Sequence, residues 1–354
     1  MQIKRVTVSP VRLPLRVPFK TASYPEPITY IELVFLRAEL VRDYGDAWGC
    51  AVLDQRSGLK VEDVLQVCRD GASCLQDLSP LNTQYALSEL SKVTGRFKCV
   101  QCAFDMLLYD LLGLSSGLPL YLLLGGYRDR IQTSITVGLE DVQTTVEMAQ
   151  KYARDGFRII KLKGGFDPEL DVRRVRALKR ALPELIIRLD ADQGYNLQSS
   201  LDVTRALMGK LEFLEQPTPA DDLALMHQVT EYSPIPILAD ESLQGTISAL
   251  EIVNRQAANG VSTKLVSCGG LDQARQIDVI ARAGGLATMI GCINEPALSI
   301  AAALALALSS PNVRYGDLDG HFDLETDPTI PGFRFENGWL VASEAPGLGC
   351  QVNV

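Results

Sequence analysis

The sequence predicts an α/β protein built as a parallel (β/α) barrel, with a smaller α+β module before it. Five short apolar runs in the middle of the chain each end in a charged residue and recur about every 25 residues, the length that one strand, one helix and two loops occupy. The charged residues, in chain order, are Lys163, Asp190, Glu215, Asp240 and Lys264. Because residues at the carboxyl ends of barrel strands meet on one face, we expect these five side chains to form one site.

The composition is that of an ordinary globular protein with room for a barrel and one smaller domain. Of the 354 residues, 47% are hydrophobic and 22% are charged. The formal net charge of −9 argues against nucleic acid as the partner. No apolar run reaches about 18 residues, so we expect no membrane partner. Residues 1–15 alternate like a strand and lack the apolar core of a signal peptide, which predicts a cytoplasmic protein.

The α+β module is predicted over residues 1–125. Its strand-like runs are residues 3–8, 30–40 and 48–52. A proline-rich loop at 17–27 separates the first two runs, and the periodicity becomes helical from residue 61 to residue 112. A segment of this length is large enough to act as a domain.

The barrel is predicted over residues 126–320. Its strand-like runs are ITVGL, IIKLK, IIRLD, EFLEQ, PILAD, VSTKL, ATMIG and VRYGDLD. The helix-patterned segments between them begin near residues that can cap free amides, such as Asp141, Asp167, Ser199 and Asp222.

The helical pattern stops after the barrel, and residues 321–354 are predicted to return to the first domain. Within this tail, residues 333–341 are predicted to form a hairpin, with Asn337 and Gly338 as its turn.

Three of the charged residues at strand ends are carboxylates. Asp190, Glu215 and Asp240 offer hard oxygen ligands from three neighbouring strands, and Mg²⁺ prefers such ligands while keeping positions open for substrate. A single acid at such a position could equally cap the following helix, but three in register favour a metal site.

The lysines are the candidates for proton transfer. Lys161 and Lys163 share one face of a strand, and neighbouring ammonium groups together with Mg²⁺ would lower the pKa of Lys163 toward that of a usable base. Lys264 would face it across the barrel. The alternative role for these lysines is in ion pairs. The chain has only two histidines, so proton transfer must rest on lysine, carboxylate or tyrosine.

The segments KLK, RLDADQGY, FLEQP, ILADES and KLVSCGG resemble the successive signatures of the enolase superfamily, muconate-lactonising subgroup. The resemblance covers nearly the whole chain. It implies a modified (β/α)7β TIM-like barrel with an α+β capping domain formed by the N-terminal region and the C-terminal tail. It also implies proton abstraction next to a carboxylate, with one Mg²⁺ per subunit stabilising the enediolate, a pattern characteristic of that superfamily.

The pair Asp317 and Asp319, at the end of the last strand, resembles the DxD motif that binds the free α-ammonium in dipeptide epimerases of this subgroup. An isolated DxD could also be a turn. The resemblance implies a dipeptide as the small-molecule partner, with Lys163 and Lys264 as opposed acid/bases. Lys161 would assist the charge on the carboxylate, and the two aspartates would hold the amino end.

The sequence departs from the subgroup at two places. Asp192 replaces the asparagine of the usual DANQG segment. In the loop TASYPEP, Tyr24 takes the place of an arginine that would suit an acidic substrate, so we do not expect a preference for Ala-Glu. Glu26 in the same loop would favour a cationic or neutral side chain, unless it is only a solvated loop acid.

Three alternatives stay open from the sequence. The first is an N-acylamino-acid racemase, and the second is an o-succinylbenzoate synthase or a cycloisomerase; these share the superfamily but act on substrates without a free ammonium. A binding protein that kept the fold without catalysis is the third. The oligomeric state is also open, and a homo-oligomer is one of its alternatives.

Overall fold

The N-terminal part of the chain is an antiparallel sheet covered by helices. The computed structural model describes residues 3–22, 26–41, 45–76 and 78–354. The elements of this part are β1 (Ile3–Phe19), β2 (Ile28–Leu40), β3 (Ala47–Leu53), α1 (Val61–Gln76), α2 (Thr83–Thr94), α3 (Lys98–Ser116) and α4 (Leu120–Leu123). β2 lies between β1 and β3, and α3 packs closely on β3. A Cβ atom at Gly49 would lie 2.0 Å from the carbonyl oxygen of Ala103, so this contact requires glycine.

β1 is longer than the sequence predicts, because it continues past residue 8 to Phe19. Pro10 and Pro14, which lie beyond the predicted run, pair with Val34 and Tyr30 of β2. Proline is tolerated there because β1 is an edge strand. On the side that faces away from β2, no neighbouring strand requires a backbone N–H donor.

The central part of the chain is an eight-stranded parallel barrel. After the short strand β4 (Arg130–Gln132), its strands are β5 (Ser134–Val137), β6 (Ile159–Lys163), β7 (Ile186–Asp190), β8 (Leu214–Glu215), β9 (Ile237–Ala239), β10 (Gly260–Lys264), β11 (Ala287–Gly291) and β12 (Val313–Gly316). They pair in chain order from β5 to β12. A bridge between Thr133 and Gly316 brings the first and last strands together. The predicted fold class is therefore confirmed.

Helices connect successive barrel strands. They are α5 (Val142–Arg154), α6 (Pro168–Ala181), α7 (Leu197–Ala206), α8 (Leu223–Tyr232), α9 (Thr246–Asn254), α10 (Leu265–Cys268), α11 (Leu271–Ala283) and α12 (Ala297–Ser309). Asp141, Asp167 and Asp222 cap α5, α6 and α8 as predicted, whereas Asn196 rather than Ser199 caps α7. In the described part of the chain, no helix is both long enough and apolar enough to span a membrane.

The C-terminal tail contacts the N-terminal part. Its strands are β13 (Thr329–Ile330), β14 (Arg334–Glu336), β15 (Trp339–Val341) and β16 (Gln351–Val352). β14 and β15 form the predicted hairpin, and Asn337 and Gly338 at its turn have φ values of 50° and 85°. Asp110 of α3 accepts hydrogen bonds from the backbone N–H groups of Leu348 in the tail (2.7 Å) and Trp48 in β3 (2.9 Å).

Candidate active site

The carboxyl ends of three neighbouring strands bring the predicted carboxylates together. Asp190 and Glu215 end β7 and β8 and are direct neighbours in the sheet, and Asp240 follows β9 by one residue. One oxygen of each carboxylate lies within 4.8 Å of the others. All three residues are at most 5% exposed. The sequence spacing therefore identified a true cluster with the ligand type that a divalent cation prefers.

The charges around Glu215 are consistent with a cation site. Burial and the nearby negative charge of Asp190 raise the pKa of Glu215 to about 8. Its Oε2 atom forms an ion pair with Lys161 Nζ at 2.8 Å, whereas its Oε1 atom has no hydrogen-bond partner among the described residues. A buried carboxylate is normally paired or bound to a metal, so the donor set fits a divalent ion.

Lys161 lies in the middle of these acids and is 3% exposed. Its Nζ atom is 2.8 Å from Glu215 Oε2, 2.8 Å from Asp317 Oδ2 and 3.0 Å from Asp190 Oδ2. Burial lowers its pKa, but the attraction of Asp190, Asp317 and Glu215 outweighs burial, so the pKa of Lys161 lies well above its ordinary value. Lys161 is therefore a fixed positive charge at the centre of the site.

Lys163 also contacts carboxylates. Its Nζ atom lies 2.8 Å from Asp190 Oδ2 and 3.4 Å from Asp192 Oδ2. Burial and Lys161 lower the pKa of Lys163, but the two carboxylates raise it by more, and it ends above its ordinary value. In the protein alone, Asp190 and Asp192 therefore outweigh Lys161; the lowered pKa expected for Lys163 also counted the charge of Mg²⁺ and stays a prediction.

Lys264 lies on the opposite wall of the same cavity. It ends β10, which is four strands away from β6 in the eight-stranded sheet. Its Nζ atom contacts Asp240 Oδ2. Lys161, Lys163 and Lys264 all line one cavity at the mouth of the barrel.

Asp317 and Asp319 line this cavity on a third side. Asp317 accepts hydrogen bonds from Ser134 Oγ (2.5 Å) and Lys161 Nζ (2.8 Å). Asp319 accepts a hydrogen bond from the backbone N–H of Thr136 at 2.7 Å, and none of the described cationic side chains forms an ion pair with it. Burial and Asp317 raise the pKa of Asp319 to about 6. The DxD pair therefore leaves one carboxylate available for a cation from the cavity.

Of the two loop residues predicted to contact the substrate, the structure describes one. Tyr24 lies outside the described residues. Glu26 is exposed. Among the described residues near this loop, Phe19, Thr21 and Ile28 line the cavity. The roles of Tyr24 and Glu26 stay predictions.

The cavity also contains polar residues that the sequence reasoning did not select. Asp54, Asn294 and Asp323 line it. Asn294 Nδ2 donates to Asp323 Oδ2 at 2.7 Å, and burial together with Asp319 raises the pKa of Asp323 to about 8. Asp323 could have been found from its position, four residues after Asp319. Asp54 comes from the end of β3, and nothing in its local sequence indicates a place in the barrel mouth.

Comparison with known proteins gives consistent matches. The family model described as Enolase C-terminal domain-like matches residues 144–354. The L-Lys-D/L-Arg epimerase of Desulforapulum autotrophicum is 35% identical over 362 aligned residues, which cover 99% of each chain. A substrate-liganded complex of the L-Ala-D/L-Glu epimerase from Bacillus subtilis superposes with a TM-score of 0.95 at 30% identity over 100% of each chain. A dipeptide epimerase from Methylococcus capsulatus, complexed with Mg and the dipeptide L-Arg-D-Lys, gives 0.94 at 32% identity, also over 100% of each chain.

Proposed function

Because the chain belongs to the enolase superfamily and is similar over its full length to epimerases, we propose that this isomerase is a Mg²⁺-dependent dipeptide epimerase. It would invert the Cα of the C-terminal residue of a dipeptide by transferring a proton between the two faces of that carbon. The observation that carries the proposal is the placement of Lys163 and Lys264 on opposite walls of one cavity, beside a buried carboxylate cluster.

Asp190, Glu215 and Asp240 would hold one Mg²⁺ ion per subunit. When bound, the ion supplies positive charge that stabilises the negative charge developing on the substrate carboxylate. Lys161, fixed between Glu215 and Asp317, adds a second positive charge on the same side.

Lys163 and Lys264 would divide the proton transfer between them. One amine removes the Cα proton from its face, and the ammonium opposite returns a proton to the other face, which inverts the configuration. In the reverse direction the two lysines exchange roles.

Asp317 and Asp319 would bind the free α-ammonium of the dipeptide. Asp317 is already paired with Lys161, and Asp319 has no cationic partner among the described residues, so one positive charge from the ligand would complete the pair. Binding of an α-ammonium by these aspartates would distinguish a dipeptide epimerase from an N-acylamino-acid racemase or an o-succinylbenzoate synthase, whose substrates have no free ammonium.

The side chains of the dipeptide are proposed to be neutral or cationic rather than acidic. Asp54 and Asp323 place carboxyl groups in the cavity, and a cationic side chain beside Asp323 would favour its ionised form, although burial and Asp319 raise its pKa to about 8. The position of Tyr24 also lacks the arginine that would receive a glutamate. An unpaired carboxylate in such surroundings costs about 1–3 kcal/mol, or roughly tenfold to a hundredfold in specificity. The relative from Desulforapulum autotrophicum, an L-Lys-D/L-Arg epimerase, supports this choice.

A dipeptide library incubated in D₂O with Mg²⁺ and analysed by mass spectrometry tests the proposal. Each turnover should leave one deuterium at the Cα of the C-terminal residue. If no dipeptide gains deuterium, the protein is not an epimerase of this class, and a binding protein with the same fold becomes the better interpretation. If Ala-Glu is the best substrate of the library, the proposed charge preference is wrong.

A further inference from the structure

Asp192 lies in a turn two residues after Asp190, with its carboxylate toward Lys163. Its φ of 46° is in the left-handed region, which aspartate and asparagine adopt more easily than most residues. Its backbone N–H donates to Asp190 Oδ1 at 3.1 Å, which holds the turn against the strand end. The residue is 2% exposed.

The carboxylate of Asp192 is poorly satisfied by the protein. Among the described residues, neither of its oxygens accepts a hydrogen bond, and its contact with a cation is the 3.4 Å approach to Lys163 Nζ. Buried carboxylates are normally hydrogen-bonded or paired. An asparagine at this position would carry no charge and could not form the ion pair with Lys163.

Asp190 accepts a hydrogen bond from Lys163 Nζ at 2.8 Å, but it has other partners as well. Its Oδ2 atom is contacted by both Lys161 (3.0 Å) and Lys163 (2.8 Å), and the same residue belongs to the proposed metal-binding set. With a metal ion bound, the ion and the two ammonium groups would share the carboxylate of Asp190. Asp192 is outside the cluster whose oxygens lie within 4.8 Å of one another, so its charge remains available to Lys163.

We propose that Asp192 is a positioning residue that fixes the Nζ atom of Lys163 on its side of the substrate Cα. This inference rests on the proposed function. It predicts an asymmetric effect, because β10, which carries Lys264, lies four strands from β6, and Lys264 would approach the Cα from the opposite wall of the cavity. Loss of the Asp192 charge should impair the reaction on the face that Lys163 serves and leave the other face nearly intact.

The test is the variant Asp192→Asn, which keeps the shape of the side chain and removes its charge. Loss of the Cα proton is followed by NMR in D₂O for each epimer of an accepted dipeptide separately, at saturating Mg²⁺. Lys163→Ala identifies which epimer Lys163 deprotonates. For that epimer we expect the rate to fall about tenfold to a hundredfold, since a displacement of about 1 Å costs that much, with KM little changed. For the other epimer we expect less than about a threefold change.

Two further variants keep the test decisive. Asp278→Asn is the matched control, because Asp278 is buried, bonded to Ser310 and Asn312, and does not line the cavity. It should affect both epimers equally. Asp192→Ser removes the same charge with a smaller side chain and should reproduce the selective loss even if Asp192→Asn folds poorly.

A second readout does not depend on activity. In a crystal structure of the Mg²⁺-loaded Asp192→Asn protein, Lys163 Nζ should leave the position that it holds in the wild type. An unmoved Lys163, an equal loss for both epimers or an unchanged rate for both would each overturn the inference. A wild-type protein that exchanges neither epimer would instead contradict the proposed function itself.

Discussion

The ammonium of Lys161 lies 2.8 Å from the Oε2 atom of Glu215, at the centre of a cluster of buried carboxylates. A lysine in this position partly compensates the negative charge that the strand ends bring together. The raised pKa of Glu215 shows that the compensation is incomplete, because burial and Asp190 favour its protonated form. Additional positive charge at this cluster is therefore favourable.

We first predict that activity depends on a divalent cation. A chelator should abolish deuterium exchange, and Mg²⁺ should restore it. Glu215→Gln should lower the affinity for Mg²⁺, measured by calorimetry, at least about a hundredfold, since even partners outside the ligand set change affinity about tenfold to a hundredfold. Asp278→Asn, with a buried acid outside the cavity, should bind Mg²⁺ as the wild type does. Full activity in metal-free protein would remove Asp190, Glu215 and Asp240 from the mechanism.

The second prediction concerns the free amino group of the substrate. Asp319→Asn should lower kcat/KM for an unblocked dipeptide about tenfold to a hundredfold, because a hydrogen bond to a charged group contributes about 1.5–3 kcal/mol. The N-acetylated form of the same dipeptide should be a poor substrate, and Asp319→Asn should hardly change its rate. Steady-state kinetics with both substrates and both proteins gives the comparison. Equal turnover of blocked and unblocked dipeptides would favour an N-acylamino-acid racemase.

The sequence predicted the barrel and its charged rim because both depend on local, repeated features. An apolar run that ends in a charged residue specifies a buried strand and a polar strand end without any long-range information. Once such strands pair in parallel and in register, Asp190 and Glu215 must become neighbours. The proximity of these two carboxylates therefore follows from the spacing of the strand ends.

Other features depend on contacts between distant parts of the chain. The first turn of α11 is capped by Asp105, which accepts hydrogen bonds from the backbone N–H groups of Leu271 and Asp272 and lies 166 residues before the first of them. Asp54 reaches the cavity from another sheet. The direction of the pKa shift of Lys163 depends on how far its Nζ atom lies from two carboxylates and one ammonium, and no sequence pattern encodes those distances.

The third prediction concerns stability at acidic pH. The ring of His321 packs against Phe322 and Phe333, with centroid distances of 4.0 and 5.3 Å, and its Nδ1 atom has no hydrogen-bond partner among the described residues. Burial lowers the pKa of His321 from 6.5 to about 4. Between these values the unfolded chain binds a proton that the folded protein does not. The contribution of neutral His321 to the unfolding free energy is therefore complete above about pH 6.5. It is lost as the pH falls from 6.5 through 4.

The variant His321→Gln, which does not titrate, tests this prediction. On going from pH 7 to pH 4.5, the wild type should lose up to about 2–3 kcal/mol more of its unfolding free energy than the variant does. Urea denaturation at both pH values measures the difference, and buried carboxylates with raised pKa values contribute equally to both proteins. His227→Gln is the control, because the side chain of His227 is 40% exposed. An identical pH dependence in the wild type and His321→Gln would show that His321 titrates normally in the folded protein.

The last prediction tests the two-base mechanism and follows from the places of Lys163 and Lys264 on strands that lie four positions apart in the barrel. Each lysine should serve one face of the Cα. Lys264→Ala should abolish epimerisation but leave Lys163 able to exchange the Cα proton of one epimer with solvent. Lys163→Ala should show the same behaviour with the opposite epimer. Net turnover should fall by at least about 10²–10⁴-fold, because a positioned acid/base contributes that much.

NMR-detected deuterium uptake, measured for each epimer with each variant, tests whether each lysine serves one face of the Cα. Lys161→Met provides a contrast, since Lys161 lies between the carboxylates and would act on both epimers through charge alone. It should slow exchange of both epimers to a similar extent. If Lys163→Ala and Lys264→Ala both retain exchange of the same epimer, the two lysines do not oppose one another across the Cα. A one-base reaction of the same superfamily, such as a cycloisomerisation, would then explain the site better.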